Sequence, residues 1–214
     1  MILVAIDTSS DMSGVALWGD SGALAQTQWQ SGRRHSEQVL AQLDALCRLC
    51  DITPTMFTHV AASIGPGSWS GIRVGISIAK GLTIALDIPV VAVSALDVLA
   101  WPWRGQQPVS VALSLGRGRL ACAHYPAHPW LPGSISAHNT PISSLTSATL
   151  QPTLCCDTSV WQQLAPQLTG IQQVAPLHAT PALLAMVALQ SPASTTPIEP
   201  IYLGDPVVQP PPVR

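Results

Sequence analysis

The residues Gly65-Pro66-Gly67-Ser68-Trp69-Ser70-Gly71 lead straight into Ile72-Arg73-Val74-Gly75-Ile76-Ser77-Ile78-Ala79-Lys80-Gly81-Leu82, a Gly-rich turn feeding a helix that is apolar around most of its circumference. At about 100° per residue, Arg73, Ser77 and Lys80 share one narrow polar sector, while glycines, alanines and aliphatics fill an arc of roughly 220°, against the roughly 100° stripe of an ordinary surface helix. Such a helix needs cover on two sides. One cover is the sheet of its own lobe, because apolar strand candidates flank it at 60–64 and 88–93. The other side carries Gly71, Gly75 and Ala79 at i, i+4 and i+8, a small-residue row that admits a second helix at close range. Glycine inside a helix costs up to about 1 kcal/mol relative to alanine, so Gly75 and Gly81 point to a packing reason. A partner protein supplies one, and burial wholly within this chain supplies another; the pattern leaves both open.

The flanking segments predict an α/β lobe. Residues 2–7, 14–18 and 23–29, separated by short polar or Gly-containing turns, read as three antiparallel strands. Residues 36–50 place Val39, Leu40, Leu43, Leu46 and Leu49 at helical spacing, and Thr53-Pro54 reads as a cap with a first-turn proline. The strands at 60–64 and 88–93 with the long helix between them form a β-α-β unit, and Ser94 caps one more short helix. Trp101-Pro102-Trp103-Arg104-Gly105-Gln106-Gln107-Pro108 marks a lobe boundary. Beyond it, 109–115 and 119–125 flank Gly116-Arg117-Gly118 as a hairpin, followed by a strand at 153–157, a helix near 159–168, a strand at 171–175 and a helix at 181–190. The second half thus repeats the strands-before-helices order of the first, without a visible sequence repeat. The expected organisation is an N-terminal lobe over 1–104, a smaller C-terminal lobe over 105–206 and a Pro-rich tail over 207–214.

Charge narrows the possible partners. The 214-residue chain has 9 Lys+Arg against 11 Asp+Glu, and Lys80 is its only lysine. Beyond Arg33-Arg34 and Arg117/Arg119 no basic face is visible, so strong autonomous nucleic-acid binding is not expected and any RNA contact has to be shared. Apolar runs are interrupted before the roughly 20 residues that a membrane span needs, and the start, Met1-Ile2-Leu3-Val4-Ala5-Ile6-Asp7, reads as a first strand rather than a leader. A cytoplasmic protein is expected. Five cysteines, an odd number, fit a reducing compartment. Cys47 and Cys50 have redox or zinc spacing but share the apolar helix face of Val39, Leu43 and Leu46, and Cys155-Cys156 lies in a strand-like run; all four read as buried small hydrophobes.

The residues that carry chemistry in other proteins are sparse here. The loop 65–71 lacks the Gly-Lys-Ser/Thr ending of a P-loop, although backbone N–H groups at a helix start can bind an anion. Asp7-Thr8-Ser9-Ser10 follows the first strand, where a carboxylate and hydroxyls either meet a nucleotide phosphate through magnesium or bond their own turn. His35-Ser36-Glu37 is too compressed for a helical metal pair, and the six histidines are scattered. No Gly-x-Ser-x-Gly elbow and no close carboxylate pair occurs.

Several of these segments together resemble the bacterial TsaB (YeaZ) family: Asp7-Thr8-Ser9, Arg33-Arg34-His35-Ser36-Glu37, Gly65-Pro66-Gly67-Ser68-Trp69-Ser70-Gly71-Ile72-Arg73-Val74-Gly75, Ala79-Lys80-Gly81-Leu82, Ile88-Pro89-Val90 and Pro200-Ile201-Tyr202-Leu203. The match is dense over 1–100 and thinner beyond. The resemblance implies a two-lobed actin-like ATPase/sugar-kinase fold, ribonuclease H-like, with mixed sheets flanked by helices. It implies a role in forming threonylcarbamoyladenosine in tRNAs that read ANN codons, as a non-catalytic partner that activates the TsaD-type paralogue and is joined by a TsaE-type ATPase. ATP and a metal ion then belong to the partner subunits, tRNA is met only through the complex, and the free chain can homodimerise. The interface it implies uses His35, Val39, Leu43, Gly67, Trp69, Ile72, Gly75 and Ala79, so that Gly75→Leu is expected to leave the chain folded and block assembly. Asp7, Thr8 and Ser9 become a vestigial phosphate loop. An ATP-binding or ATP-hydrolysing enzyme of the same fold is the competing reading, and a peptidase finds no nucleophile–base pair. Two departures from the family pattern are Ser114-Leu115-Gly116-Arg117, where an Asp-Ala-Arg-type segment is common, and Asp87, where glycine is usual.

Overall fold

The computed structural model describes residues 1–31, 35–174, 180–194 and 197–203. Arg33, Arg34, Asp205 and the expected tail lie outside them. The first sheet contains β1 (Leu3–Asp7), β2 (Met12–Gly19), β3 (Gly22–Gln30), β4 (His59–Ser63) and β5 (Val90–Val93) in the order β3-β2-β1-β4-β5. The first three strands are antiparallel neighbours, and β4 and β5 join in parallel. Alternation along β1 divides the core: Val4 and Ile6 face one side, Leu3 and Ala5 the other. Helices α1 (His35–Leu49) and α2 (Trp69–Leu86) cover the first side, and Cys47 is buried there with Leu43 and Leu46.

The second sheet contains β6 (Val109–Gly116), β7 (Arg119–Tyr125), β8 (His138–Pro141), β9 (Thr153–Cys156) and β10 (Gln172–Val174), ordered β10-β9-β6-β7-β8. Read from the other edge it is the first sheet again, an antiparallel trio extended by two parallel strands. The repeat that the amino acids hide is explicit in the pairing. Helix α4 (Thr158–Leu164), capped by the Asp157 carboxylate accepting from Val160 N at 2.8 Å, buries Val160 and Leu164 on one face of it. Cys155 and Cys156 are buried in β9, and burial pushes both thiols up to about 12, which makes them packing groups rather than nucleophiles.

Helix α3 (Ala95–Ala100) sits between the sheets, with Val98 turned to the first core and Leu96 and Leu99 to the second. Its Asp97, 1% exposed, accepts from the Tyr125 hydroxyl at 2.8 Å and from Gly133 N at 2.7 Å, tying α3 to β7 and the loop beyond. Helix α5 (Pro181–Ala188) falls within the segment expected as the C-terminal lobe, yet Leu184, Ala185, Val187 and Ala188 pack on Leu3, Ala5 and Val91 of the first sheet. The chain then runs back along β5: Ser194 N donates to Val90 O and Ile201 N to Ile64 O, both at 2.8 Å, with Ile198 buried between them. Strand β8 has no counterpart in the sequence reading, because His-Asn-Thr-Pro is a polar edge segment without an apolar alternation.

Candidate functional site

The turn after β1 and the Gly-rich loop before α2 are built as one unit. Ser68 N donates to Ser9 O at 2.6 Å, and the Thr8 hydroxyl donates to Gly71 O at 2.7 Å. The approach is so close that a Cβ on Gly67 would strike the Ser9 carbonyl, one on Gly71 the Thr8 carbonyl, and one on Gly75 the Thr8 hydroxyl. Asp7, Thr8 and Ser9 are consequently buried, at 3%, 1% and 6% exposure. The Asp7 carboxylate accepts from Ser9 N at 2.9 Å and Ser9 Oγ at 2.7 Å, while burial raises its proton affinity above the ordinary aspartate range. A carboxylate enclosed in this way does not fit a metal-bridged nucleotide phosphate, because loop 67–71 of the chain itself fills the approach.

At the start of α2 the exposed side chains assemble differently. The Ser68 hydroxyl caps the helix by accepting from Gly71 N, and Trp69, 43% exposed, stacks on Tyr202 with ring centroids 4.0 Å apart. The Arg73 guanidinium lies 4.3 Å from the Trp69 ring centroid, and its Nε donates to the Tyr202 hydroxyl at 2.8 Å. Tyr202 belongs to the last described segment, whose Leu203 carbonyl accepts from the Asn139 side-chain amide of β8. Between this cluster and the β6–β7 turn lies a cleft of about 790 Å³. Periodicity identifies Arg73 as exposed and the resemblance puts Trp69 on a surface, but nothing local in sequence pairs either with Tyr202.

The long helix has two faces with opposite roles. Gly71, Ile72, Gly75, Ile76 and Ala79 are buried against the first sheet and its loops. Outward stand Ser77, Gly81 and Ala85, also at i, i+4 and i+8, beside Ile84 at 83% exposure. A Cβ on Gly81 would meet nothing within 4 Å. On α1, Leu40 is 51% and Leu49 74% exposed.

A protein-family model described as TsaD, tRNA N6-adenosine threonylcarbamoyltransferase, matches residues 29–128. The tRNA threonylcarbamoyladenosine biosynthesis protein TsaB of Bacillus subtilis strain 168 is 36% identical over 100 residues, covering 47% of this chain and 44% of the relative. The TsaB protein of Escherichia coli K12 is 31% identical over 128 residues, covering 58% and 55%. The chain therefore spans about half the length of the curated relatives it matches. Among solved structures, YeaZ from Pseudomonas aeruginosa superposes with a TM-score of 0.75 at 22% identity, over 94% of this chain and 99% of that one. The chain is similar in sequence to TsaB proteins and shares the fold of YeaZ. The expected two-lobed fold of actin-like ATPase/sugar-kinase type, with mixed sheets flanked by helices, is the one observed.

The interface residues expected from the resemblance do not form one surface. Val39, Leu43, Ile72 and Ala79 are core residues at 0%, 5%, 1% and 0% exposure, and Gly75 packs on Thr8. Gly67 packs on Ser9, Trp69 is exposed, and His35 opens α1 with a side chain outside the described part. The Gly71/Gly75/Ala79 row, expected to admit a second helix, faces its own chain: Gly71 and Gly75 are the seam by which α2 approaches the β1–β2 turn, and Ala79 is buried in the first core. The expectation that Gly75→Leu keeps the chain folded is corrected accordingly, since the added side chain would occupy the place of Thr8. Among the described residues no group of three or more His, Cys, Asp or Glu could hold a metal ion, and no helix is long and apolar enough to cross a membrane.

Proposed function

We propose that this chain works in tRNA threonylcarbamoyladenosine biosynthesis as a non-catalytic cytoplasmic subunit that binds and activates a TsaD-type paralogue, with a TsaE-type ATPase joining the pair. The observation that carries this reading is the outward face of α2: Ser77, Gly81 and Ala85 form a shallow row with Ile84 almost fully exposed beside it. A solvated helix has no use for glycine there, whereas a partner helix approaching closely does. The buried Asp7 turn supports the assignment of ATP and metal to the partner subunits, and it weighs against the competing reading of an ATP-hydrolysing enzyme. The activating effect is a coupling between subunits, in which contact with α1 and α2 favours the productive conformation of the catalytic chain.

Light scattering after size exclusion tests this reading, on the chain alone and mixed with the TsaD-type paralogue of the same organism. A heterodimer is expected, lost in Gly81→Leu and Ile84→Glu while both variants keep the far-ultraviolet circular dichroism of the parent. An unchanged complex in both variants would refute the outward α2 face as the interface, and absence of any complex would refute the partner assignment.

A further inference from the structure

We propose that Ser110, His124 and Gln151 form a proton-controlled latch in the second sheet: closed while the His124 ring is neutral, it releases the chain entering β9 when the ring takes up a proton. Ser110 on β6 and His124 on β7 stand directly opposite each other in the antiparallel ladder, and the serine hydroxyl lies 2.8 Å from the ring Nδ1. The same oxygen accepts from Gln151 N at 2.8 Å, just ahead of β9. Ser110 is 1% exposed, so its hydrogen bonds are made within the protein.

The hydrogens at this junction follow from the donors. An amide N–H only donates, so the Ser110 oxygen is the acceptor toward Gln151, and its single hydrogen goes to the remaining partner, Nδ1 of His124. The neutral ring then carries its own hydrogen on Nε2. Protonation adds one at Nδ1. The Nδ1–H and the Gln151 N–H then both point at one oxygen, whose own hydrogen has lost its acceptor in a buried place. Gln151 is the party that gives way, because Ser110 and His124 are fixed in paired strands, whereas Gln151 is half-buried and meets water when it leaves.

The other titratable groups on this face of the sheet are Cys122 on β7, the exposed His138 opposite it on β8, and Cys156 on β9. Asp157, next after β9, is engaged by Ser159 and Val160. Burial pushes the two thiols up, to about 11 and about 12, so both stay neutral where histidine titrates. Burial and then the like charge of His138 hold His124 below the ordinary histidine value of 6.5. The stabilisation by the closed latch is therefore complete above 6.5 and is lost as pH falls from there through the folded value, because the unfolded chain takes the proton first. This device lies in the second sheet and is independent of the partner reading.

The test is nuclear magnetic resonance of the full ¹⁵N-labelled chain between about pH 8 and about pH 5, the range in which a histidine ring changes charge. The ring nitrogens of His124 are expected to show the Nε2–H tautomer at the upper end and a midpoint below 6.5. The Gln151 amide should shift at that same midpoint and, corrected for the intrinsic effect of pH, exchange at least about ten-fold faster below it than above. In H124Q, whose side-chain oxygen still accepts from Ser110, the Gln151 response should vanish. An Nδ1–H tautomer at the upper end, a Gln151 amide that ignores the His124 midpoint, or a response that survives in H124Q would overturn the proposal. Should H124Q not fold, the tautomer and the shared midpoint in the parent chain decide it.

Discussion

Thr8 decides what the small residues of α2 are for. Its carbonyl and hydroxyl occupy the space that side chains at positions 71 and 75 would need, so Gly71→Ala should destabilise the chain by about 1–3 kcal/mol through overpacking against backbone. Gly75→Leu should lower the folded yield outright, and denaturant midpoints of the two variants measure both effects. Sequence reading finds the row of small residues and misassigns its face, since Thr8 is remote along the chain and periodicity on one helix does not say which neighbour fills a groove. A second residue is explained better by geometry than by pattern. Asp87, the departure from the glycine usual there, is the C-cap of α2 at φ 53°, a conformation that costs a side-chain-bearing residue about 1–2 kcal/mol, less for aspartate. Asp87→Gly should therefore raise stability by about 0.5–1 kcal/mol in the same measurement.

Among the elements, those with strong apolar periods were legible: β1, β2 and β3, both long helices, and the β6–β7 hairpin have the expected identities with ends displaced by a few residues. Strand β8 was not, because an edge strand exposes one side and carries polar residues that resemble a loop. The exposed face of α2 allows a direct test of why glycine is there. If Gly81 serves only an intermolecular contact, Gly81→Ala should stabilise the isolated chain by up to about 1 kcal/mol, as helix propensity dictates with no neighbour to obstruct it. Helix α3 carries a different expectation. Burial raises the proton affinity of Asp97 above that of an ordinary aspartate, so the native state holds this proton more tightly than the unfolded chain. The stabilisation by that proton is complete below the ordinary value of 3.8 and is lost as pH rises through the raised folded value. Asp97→Asn, which keeps an acceptor for Gly133 N, should gain stability relative to the parent as pH increases from about 3.5 upward. Urea midpoints for the pair across that range read the difference, and a parallel pH dependence would disprove the assignment.

The molecule as a whole is two copies of one sheet plan, with α3 between them and the final segment sewn along β5 to reach Asn139 of the second sheet. That plan was visible in the order of elements, whereas the return of α5 to the first sheet was not, since its uniformly apolar sequence Pro-Ala-Leu-Leu-Ala-Met-Val-Ala names no particular partner. Trp69 and Tyr202 join the start of α2 to the final segment at the edge of the cleft; Tyr202→Ala should increase amide exchange at 138–141 and near Trp69 while leaving α1 protected. The position of α5 also orders events during synthesis. When the ribosome has made all five strands of the first sheet, one of its faces still shows Leu3, Ala5, Ala61, Val91 and Val93 to water, and the helix that covers them is roughly ninety residues from being translated. The half of the protein made first is thus completed last, and a fragment ending at residue 104 would be a target for chaperones rather than an independent domain.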